Sequence, residues 1–179
     1  PVTELADPGL LELLDSFHRA RVLVLGDLML DRFIYGSVER ISPEAPVPVM
    51  TVASTAAMPG GAANVARNVA TLGGQVTLLG VVGADDAAEE LRVQLAAMPT
   101  IRPELIVDAA RATTVKTRFV ASGQQLLRLD AECAGAVDRD TETQIARAVV
   151  AAAADAGAIL LSDYAKGALS YELCAAAIR

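Results

Sequence analysis

Two adjacent glycines, followed three residues later by an asparagine, form a part of the chain well suited to binding a polar ligand. Gly60 and Gly61 carry no side chains, so the backbone there can approach another group closely. Asn64 offers an amide that both donates and accepts hydrogen bonds. Residues 62–72 have a helical composition, which places the glycines at a helix N-terminus, where free N–H groups favour oxygen-rich ligands. A bare glycine pair also occurs in ordinary loops.

Carboxylates follow two of the apolar segments that predict buried strands. Asp27 comes directly after residues 22–26, Asp31 lies four residues later, and Asp163 follows residues 158–162 in the same way. Open α/β sheets bind ligands beyond the carboxyl ends of their strands. One carboxylate can accept hydrogen bonds from two hydroxyl groups, which a carbohydrate offers in pairs. We therefore expect sugar binding here, and expect Asp27→Asn to weaken it without unfolding the protein. Alternatively, Asp27 caps a turn and Asp31 begins another strand.

The elements that must position these side chains alternate along the chain. Short apolar runs predict strands, and the amphipathic or alanine-rich runs between them predict helices. The predicted strands cover residues 22–26, 76–82 and 158–162, and the predicted helices cover residues 10–20, 62–72, 85–98, 139–155 and a last segment from about residue 170. This alternation predicts right-handed crossovers and an α/β fold, with a parallel sheet covered on both faces.

Two segments do not fit the alternation. Residues 32–54 contain apolar side chains interrupted by prolines, which confine a strand to sheet edges or turns. Residues 113–130 alternate polar and apolar side chains, and Gly123 offers a hairpin turn. Both segments predict strands outside the main sheet. They could form two surface hairpins or a small β-sheet lid that folds over a pocket, and we favour the lid.

Composition argues against several classes of function. The formal net charge of −7 argues against nucleic-acid binding, which usually requires a basic face. Cys133 and Cys174 show no metal-ligand spacing, and His18, expected on a helix surface, is the only histidine, so we expect no metal site and no Ser-His-Asp triad. The most apolar stretch, 148–161, is interrupted and too short to span a membrane. No signal peptide is visible, and we expect a cytoplasmic protein with no membrane partner.

The order Gly-Gly-x-x-Asn, helix, Gly, strand, Gly in residues 59–83 resembles the first signature of the ribokinase-like (phosphofructokinase B type) carbohydrate kinases. The resemblance implies a three-layer α/β/α fold with a mostly parallel central sheet and a small β-sheet lid. It also implies ATP with Mg²⁺, a small-molecule sugar or sugar-phosphate substrate, and a homodimer formed through the lid.

Four further segments resemble one subfamily, the heptose 7-phosphate kinases. These are GDLMLD at 26–31, RISPEAPVPV at 40–49, GQQLLRLD at 123–130 and SDYAKG at 162–167. The resemblance alone, and not residue spacing, implies transfer of the ATP γ-phosphoryl group to the anomeric hydroxyl of D-glycero-D-manno-heptose 7-phosphate. That reaction belongs to the ADP-heptose pathway, which serves bacterial lipopolysaccharide.

Several side chains near the predicted lid are candidates for contacts with such a substrate. Lys116 and Arg118 share one face of a predicted strand, Arg128 lies on the next, and Lys166 follows the last predicted strand. Some of these cations could clamp a distal phosphate through charge-assisted bonds, and Lys166 is the preferred candidate. Alternatively, they are solvated charges paired with Asp or Glu. Gln124 follows the predicted turn and is a candidate for hydroxyl recognition.

Kinases of this family carry a second signature, Gly-Ala-Gly-Asp at a helix N-terminus. Its amides stabilise the transferring phosphoryl group, and its aspartate accepts the proton of the attacking hydroxyl. The sequence does not contain it, and the weak match at residues 134–138 is expected to precede a loop. We therefore assign no catalytic residue, and expect this chain to be the sugar-binding half of a kinase domain, with the ATP site beyond Arg179. The alternatives are a non-catalytic sugar-phosphate-binding or dimerisation module, and a kinase of the same family for another sugar.

Overall fold

The computed structural model describes residues 8–133 and 135–178, and contains two sheets and five α-helices within them. The strands are β1 Arg21–Gly26, β2 Leu28–Ile41, β3 Pro48–Gly61, β4 Gln75–Val82, β5 Ile101–Val107, β6 Thr114–Ala121, β7 Gln124–Ala131 and β8 Ala158–Ser162. The helices are α1 Pro8–Asp15, α2 Ala62–Thr71, α3 Asp86–Ala96, α4 Arg139–Ala153 and α5 Tyr171–Ile178.

The main sheet is parallel and has the strand order β5-β4-β1-β8. Its central strand, β1, pairs Val24 with Leu78 of β4 on one side and with Leu160 of β8 on the other. Because helices cover both faces, the strand can be apolar on both sides, and its interior residues are completely buried. This explains why residues 22–26 form an unbroken apolar run instead of an alternating one.

Two hydrophobic cores, one on each face of the main sheet, complete the three layers. Successive residues of a strand point to opposite faces, so Val24 packs with α2 and α3 whereas Leu23 and Leu25 pack with α4 and α5. The buried face of α2 is made of alanines, whose small side chains let the helix lie close to the strands. The predicted α/β fold, with its mostly parallel sheet and a second small sheet, is confirmed.

The second sheet has the order β3-β2-β6-β7 and begins where β1 ends, with Asp27 alone between β1 and β2. Strands β2 and β3 form a long antiparallel hairpin, β2 pairs with β6 in parallel, and β6 and β7 form a second hairpin. Pro48 and Pro59 lie in β3, an edge strand that tolerates the missing N–H groups. The predicted turn at Gly123 is present, with a φ of +77°.

Strand β5 was not anticipated from the sequence. Its residues, IRPELIV, interrupt the apolar pattern with an arginine, a proline and a glutamate. Among the described residues the strand pairs with β4 alone, at the edge of the main sheet, so a proline and two charged side chains are tolerated there.

Two local expectations differ from the structure. The helix predicted over residues 10–20 ends at Asp15 and continues as a 3₁₀ turn over Ser16–Arg19, in which His18 is exposed as expected. The segment 134–138, of which Ala134 lies outside the described residues, was expected to precede a loop, and this is wrong. Asp138 accepts a hydrogen bond from the backbone N–H of Thr141 at 2.7 Å and caps α4, because a side-chain acceptor satisfies a free N–H of the first turn.

Candidate functional site

The main chain of Asp27 joins the predicted parts of the site. Its N–H donates to the carbonyl oxygen of Ser162 at 3.0 Å, and its own carbonyl oxygen accepts from the N–H of Ala62 at 3.0 Å. Ser162 immediately precedes Asp163, and Ala62 begins α2 directly after Gly61. The carboxyl end of β1, the N-terminus of α2 and the loop after β8 therefore meet at one edge of the main sheet, the edge at which α/β folds bind ligands.

The carboxylate of Asp27 is 2% exposed and holds the loop that follows β8. Its Oδ2 accepts hydrogen bonds from the N–H groups of Tyr164 at 2.8 Å and Lys166 at 3.0 Å, and Oδ1 accepts from Ala168 at 3.1 Å. These bonds to an ionised group are strong and satisfy three backbone donors at once. Asp27 therefore positions the 163–168 loop, a role that the sequence did not reveal, whereas direct sugar binding by Asp27 stays a prediction.

Gly60 and Gly61 are required by close contacts within the protein itself. Gly61 has a φ of +56°, and a Cβ atom there would lie 2.4 Å from the carbonyl oxygen of Asp27. A Cβ atom on Gly60 would lie 2.4 Å from Oδ2 of Asp31. The glycine pair thus lets β3 turn sharply into α2 and lets the Asp31 carboxylate lie against the turn.

Asp31 forms an ion pair with Arg118 across the β2–β6 pairing. The distance from Arg118 Nη1 to Asp31 Oδ1 is 2.6 Å, and both side chains are about one-fifth exposed. The Arg118 guanidinium also lies 5.2 Å from the centre of the Phe33 ring, within the range of a cation–π contact. Asp31 therefore lies within β2 and beside Gly60, whereas sugar binding by Asp31 stays a prediction.

The remaining predicted cations belong to one network of ion pairs between the second sheet and the 163–168 loop. Glu132 contacts Lys166 Nζ at 2.8 Å and Lys116 Nζ at 3.4 Å. Asp130 contacts Lys116 Nζ at 3.0 Å and Arg128 Nε at 2.9 Å. The hydrogen bond from Lys166 holds the pKa of Glu132 below its ordinary value, and the bond from Lys116 does the same to the pKa of Asp130. In this structure the candidate cations are thus paired with carboxylates, as the alternative interpretation expected.

Asn64 and Asp163 lie at the site and are each bonded to a neighbouring residue. Asn64 Oδ1 accepts from Arg67 at 2.7 Å, which leaves its NH₂ group to donate elsewhere. Asp163 is exposed, and its Oδ1 accepts from the N–H of Ala165 at 2.7 Å. Gln124 lies at the far end of the second sheet.

The distance of Gln124 from the other candidates follows from the strand register. It pairs with Ala121, which pairs with Gly36, seven residues along β2 from Met29. Seven residues of strand span roughly 23 Å, so within one chain the structure does not bring Gln124 to the main-sheet edge.

Arg111 is a component of the site that the sequence did not indicate. Its Nη2 donates to the carbonyl oxygens of Cys133 at 3.2 Å, Gly135 at 3.0 Å and Lys166 at 2.7 Å. Arg111 thereby links Cys133 and Gly135, which follow β7, to the 163–168 loop that the Asp27 carboxylate holds. A long cationic side chain in a connecting loop gives no periodic signal, so its partners could not be inferred from the sequence.

A second missed contact joins the loop after β4 to the start of β6. Asp85 Oδ2 accepts from the N–H of Thr113 at 2.8 Å, and the Thr113 hydroxyl accepts from the N–H of Gly83 at 2.8 Å. Asp85 Oδ1 also caps α3 by accepting from Ala88 at 2.9 Å. Asp85 follows a buried strand, as Asp27 does, and that pattern could have identified it.

Cavities do not mark the site in this structure. A cavity of about 360 Å³ lies at the opposite edge of the main sheet, beside Arg21, Gln75 and Arg102. The space next to Asp27, Arg111 and Lys166 is only about 10 Å³, because side chains and ion pairs fill it.

The part of the chain that the structure describes offers no group of three or more His, Cys, Asp or Glu side chains arranged to hold a metal ion. The Mg²⁺ that the family resemblance implies is therefore not assigned to residues of this chain. No helix of the described residues is long and apolar enough to cross a membrane.

A three-layer α/β/α body whose first strand runs into a second β-sheet is the architecture of the ribokinase-like kinases. Phosphofructokinase-2 from Escherichia coli, crystallised with substrates and products, aligns with a TM-score of 0.68 at 23% identity over 89% of this chain and 50% of that one. A putative phosphofructokinase from Staphylococcus aureus aligns with a TM-score of 0.67 at 15% identity over 88% of this chain and 48% of that one. At these identities the likeness shows the fold alone.

Residues 19–178 match the model of the pfkB family carbohydrate kinases, and the chain belongs to this family. It is 49% identical over 172 residues to bifunctional protein HldE of Caulobacter sp. (strain K31), covering 96% of this chain and 35% of the relative. It is 51% identical over 160 residues to bifunctional protein HldE of Azorhizobium caulinodans, covering 89% of this chain and 33% of the relative. The chain thus spans about a third of the length of these relatives.

Proposed function

We propose that the protein containing this chain is an ATP-dependent sugar-phosphate kinase and that this chain supplies its sugar-binding half. The observation that carries the proposal is the convergence of the carboxyl end of β1, the Gly60–Gly61 turn and the 163–168 loop around Asp27. Membership of a carbohydrate kinase family supports phosphoryl transfer as the reaction. The proposed substrate is D-glycero-D-manno-heptose 7-phosphate, phosphorylated at its anomeric hydroxyl.

Sequence similarity supports the heptose assignment, both in particular segments and over the whole chain. The segments at 26–31, 40–49, 123–130 and 162–167 resemble heptose 7-phosphate kinases. Relatives that share about half of the residues carry one name, bifunctional protein HldE. A kinase of the same family acting on another sugar would share the fold without sharing these segments.

The residues of this chain have proposed roles in binding and orienting the sugar. In the first turn of α2 the Ala62 N–H donates to the carbonyl oxygen of Asp27, and the N–H groups that follow it have no partner inside the helix. Together with the Asn64 NH₂ group, these donate to sugar hydroxyls. The Asp163 Oδ2 accepts from a hydroxyl, because Asp163 is exposed and Ala165 engages only Oδ1. Asp27 keeps the loop of Asp163 and Lys166 in place. Binding roles for Gln124 and Arg128 stay predictions.

ATP, when bound, supplies the phosphoryl group, and Mg²⁺ neutralises part of its charge. No residue of this chain is assigned to either group. A cytoplasmic location stays a prediction.

The test is a substrate panel on the full-length protein, monitored by ADP release. Heptose 7-phosphate is expected to be the preferred substrate, and Asn64→Ala is expected to raise its KM roughly 3- to 10-fold through loss of a hydrogen bond. The matched control is Asn68→Ala, an exposed asparagine one turn further along α2, which should leave KM unchanged. Preferred turnover of ribose or fructose would show that the substrate is another sugar. Calorimetric sugar binding without any turnover would instead indicate a non-catalytic module.

We also propose that the protein forms a homodimer through the second sheet. Leu127 and Leu129 lie on the face of β7 opposite to Arg128 and Asp130, and they are 58% and 57% exposed. Apolar side chains exposed side by side on a sheet favour a protein partner.

A further inference from the structure

The candidate cations of the site differ in how completely the protein engages them. Lys116 Nζ contacts two carboxylates, and Lys166 Nζ contacts one while its main chain is fixed by Asp27 and Arg111. Arg128 lies on the outermost strand of the second sheet and is half exposed. Arg118 is only 22% exposed, yet it contacts a single carboxylate.

The guanidinium of Arg118 has unused donors in a fixed orientation. Its contacts to Asp31 Oδ1 at 2.6 Å and to the carbonyl oxygen of Lys116 at 3.4 Å both use Nη1. Nε and Nη2 of Arg118 donate to no atom of residues 8–133 and 135–178. Contact with the Phe33 ring restrains the side chain, and a guanidinium held in this way is suited to bidentate binding of a phosphate.

The position of Arg118 is also right for a group attached to the proposed sugar. Its partner Asp31 lies against Gly60, next to the N-terminus of α2. Lys116, on the same strand face as Arg118, contacts Glu132, which in turn contacts Lys166 of the loop after β8. Asp31 pairs with Lys116 in the β2–β6 register, so both contacts lie at the same end of the second sheet, the end that adjoins the main-sheet edge.

We propose that Arg118 binds the phosphate group of the substrate through Nε and Nη2 while Asp31 keeps its contact with Nη1. This inference rests on the proposed function, because it takes the substrate to be a sugar phosphate. A phosphate dianion can accept two parallel hydrogen bonds from these two donors. The ion pair with Asp31 holds the guanidinium in position for them. A sugar without phosphate leaves both donors unused and binds weakly.

Calorimetry on the full-length protein with inorganic phosphate and heptose 7-phosphate tests the proposal. Substitutions of Arg118 and of Asp31 are expected to change the affinity for inorganic phosphate in opposite directions. Arg118→Met should weaken binding of both ligands about 10- to 100-fold, and Arg118→Lys, which keeps the charge without the planar fork, should have a smaller effect. Asp31→Asn should strengthen binding of inorganic phosphate about threefold or more, because it removes a negative charge close to the bound dianion. Arg92→Met, which removes another ion-paired arginine on α3, is the matched control and should change neither affinity.

The outcomes separate this inference from the proposed function. Phosphate affinity that is unchanged in Arg118→Met, or that falls equally in Asp31→Asn and Arg118→Met, would show that Arg118 is not the phosphate ligand, even if heptose 7-phosphate is phosphorylated. Opposite shifts in phosphate affinity, in a protein that neither binds nor phosphorylates heptose 7-phosphate, would support Arg118 and refute the heptose assignment. Absence of phosphate binding to the unmodified protein would also count against Arg118.

Discussion

Gly60 and Gly61 are adjacent, but side chains are excluded from them for different reasons. At Gly60 an added Cβ atom meets the carboxylate of Asp31, a side chain that can rotate away at the expense of its ion pair with Arg118. At Gly61 it meets the carbonyl oxygen of Asp27, which is backbone and cannot move away, and the φ of +56° is itself unfavourable for other residues. Substitution of Gly60 should therefore disturb binding, whereas substitution of Gly61 should disturb folding.

We expect Gly61→Ala to destabilise the protein by more than Gly123→Ala. Both positions have positive φ, which costs an alanine about 1–2 kcal/mol, but the Cβ position at Gly123 is open whereas that at Gly61 is blocked. The free energy of unfolding in urea, measured for both variants of the full-length protein, provides the comparison. Equal destabilisation would mean that the contact with Asp27 relaxes freely.

Asp27→Asn is expected to destabilise the protein by about 1–3 kcal/mol, an effect that the prediction from sequence, weaker sugar binding by a folded protein, did not include. An asparagine has one oxygen in place of two, so at least one of the three backbone N–H groups would face an NH₂ group. Urea unfolding and limited proteolysis of the 163–168 loop measure the effect. Asp163→Asn, at an exposed position, is the control; similar stability of the two variants would refute the role of Asp27 in holding the loop.

The partners of the site residues could not be predicted, although several of the residues could. Asp27, Asp163 and the glycine pair were identified because strand ends and helix starts can be recognised from local patterns. The ion pair of Asp31 with Arg118 joins residues 87 positions apart, and Arg111 contacts Lys166 across 55 positions. Local sequence patterns carry no information about such distant contacts, so the sequence left open whether these cations bind a phosphate or pair with carboxylates.

The loop after β4 and the start of β6 are joined through Asp85, and this junction should respond to pH. Burial acts to raise the pKa of Asp85, but hydrogen bonds from Thr113 and Ala88 outweigh it and hold this pKa below the ordinary value of 3.8. A lowered pKa in the folded state stabilises the protein above the unfolded-state pKa, and this stabilisation is lost as the pH falls through the folded-state pKa.

We therefore expect Asp85→Asn to be less stable than the unmodified protein at neutral pH, and the difference to shrink below about pH 4. Urea unfolding midpoints of both proteins, followed from neutral pH to about pH 3, test this expectation. A difference that stays constant over this range would show that the charge of Asp85 does not contribute to the junction.

Elements were predictable from sequence where a short apolar run or a regular alternation marked them. Strand β1 was recognised because an interior parallel strand is apolar throughout, and β8, which lies at the sheet edge, was recognised because residues 158–161 are all apolar. Strand β5 was missed because an edge strand admits Pro103 and charged neighbours, which break the pattern. The two hairpins of the second sheet were recognised through alternation and turn residues, but their pairing through β2 and β6 depends on the tertiary fold.

At the level of the assembly, we expect Leu127→Ser combined with Leu129→Ser to shift the full-length protein from dimer to monomer. The double variant removes the apolar side chains that the second sheet exposes next to each other on β7. Sedimentation velocity at several protein concentrations measures the change. Val93→Ser, an exposed valine on α3, is the matched control, and a dimer that persists in the double variant would place the interface elsewhere.

The three N–H groups that satisfy Asp27 lie 137, 139 and 141 residues later in the chain, which has consequences for synthesis. At translation rates of about 5–20 residues per second, roughly 7 to 28 s pass between the appearance of this carboxylate and that of its partners. Strand β8, which completes the pairing of β1, is equally late. Throughout that interval the nascent polypeptide carries an incompletely paired central strand, whose unpaired edge can bind other chains.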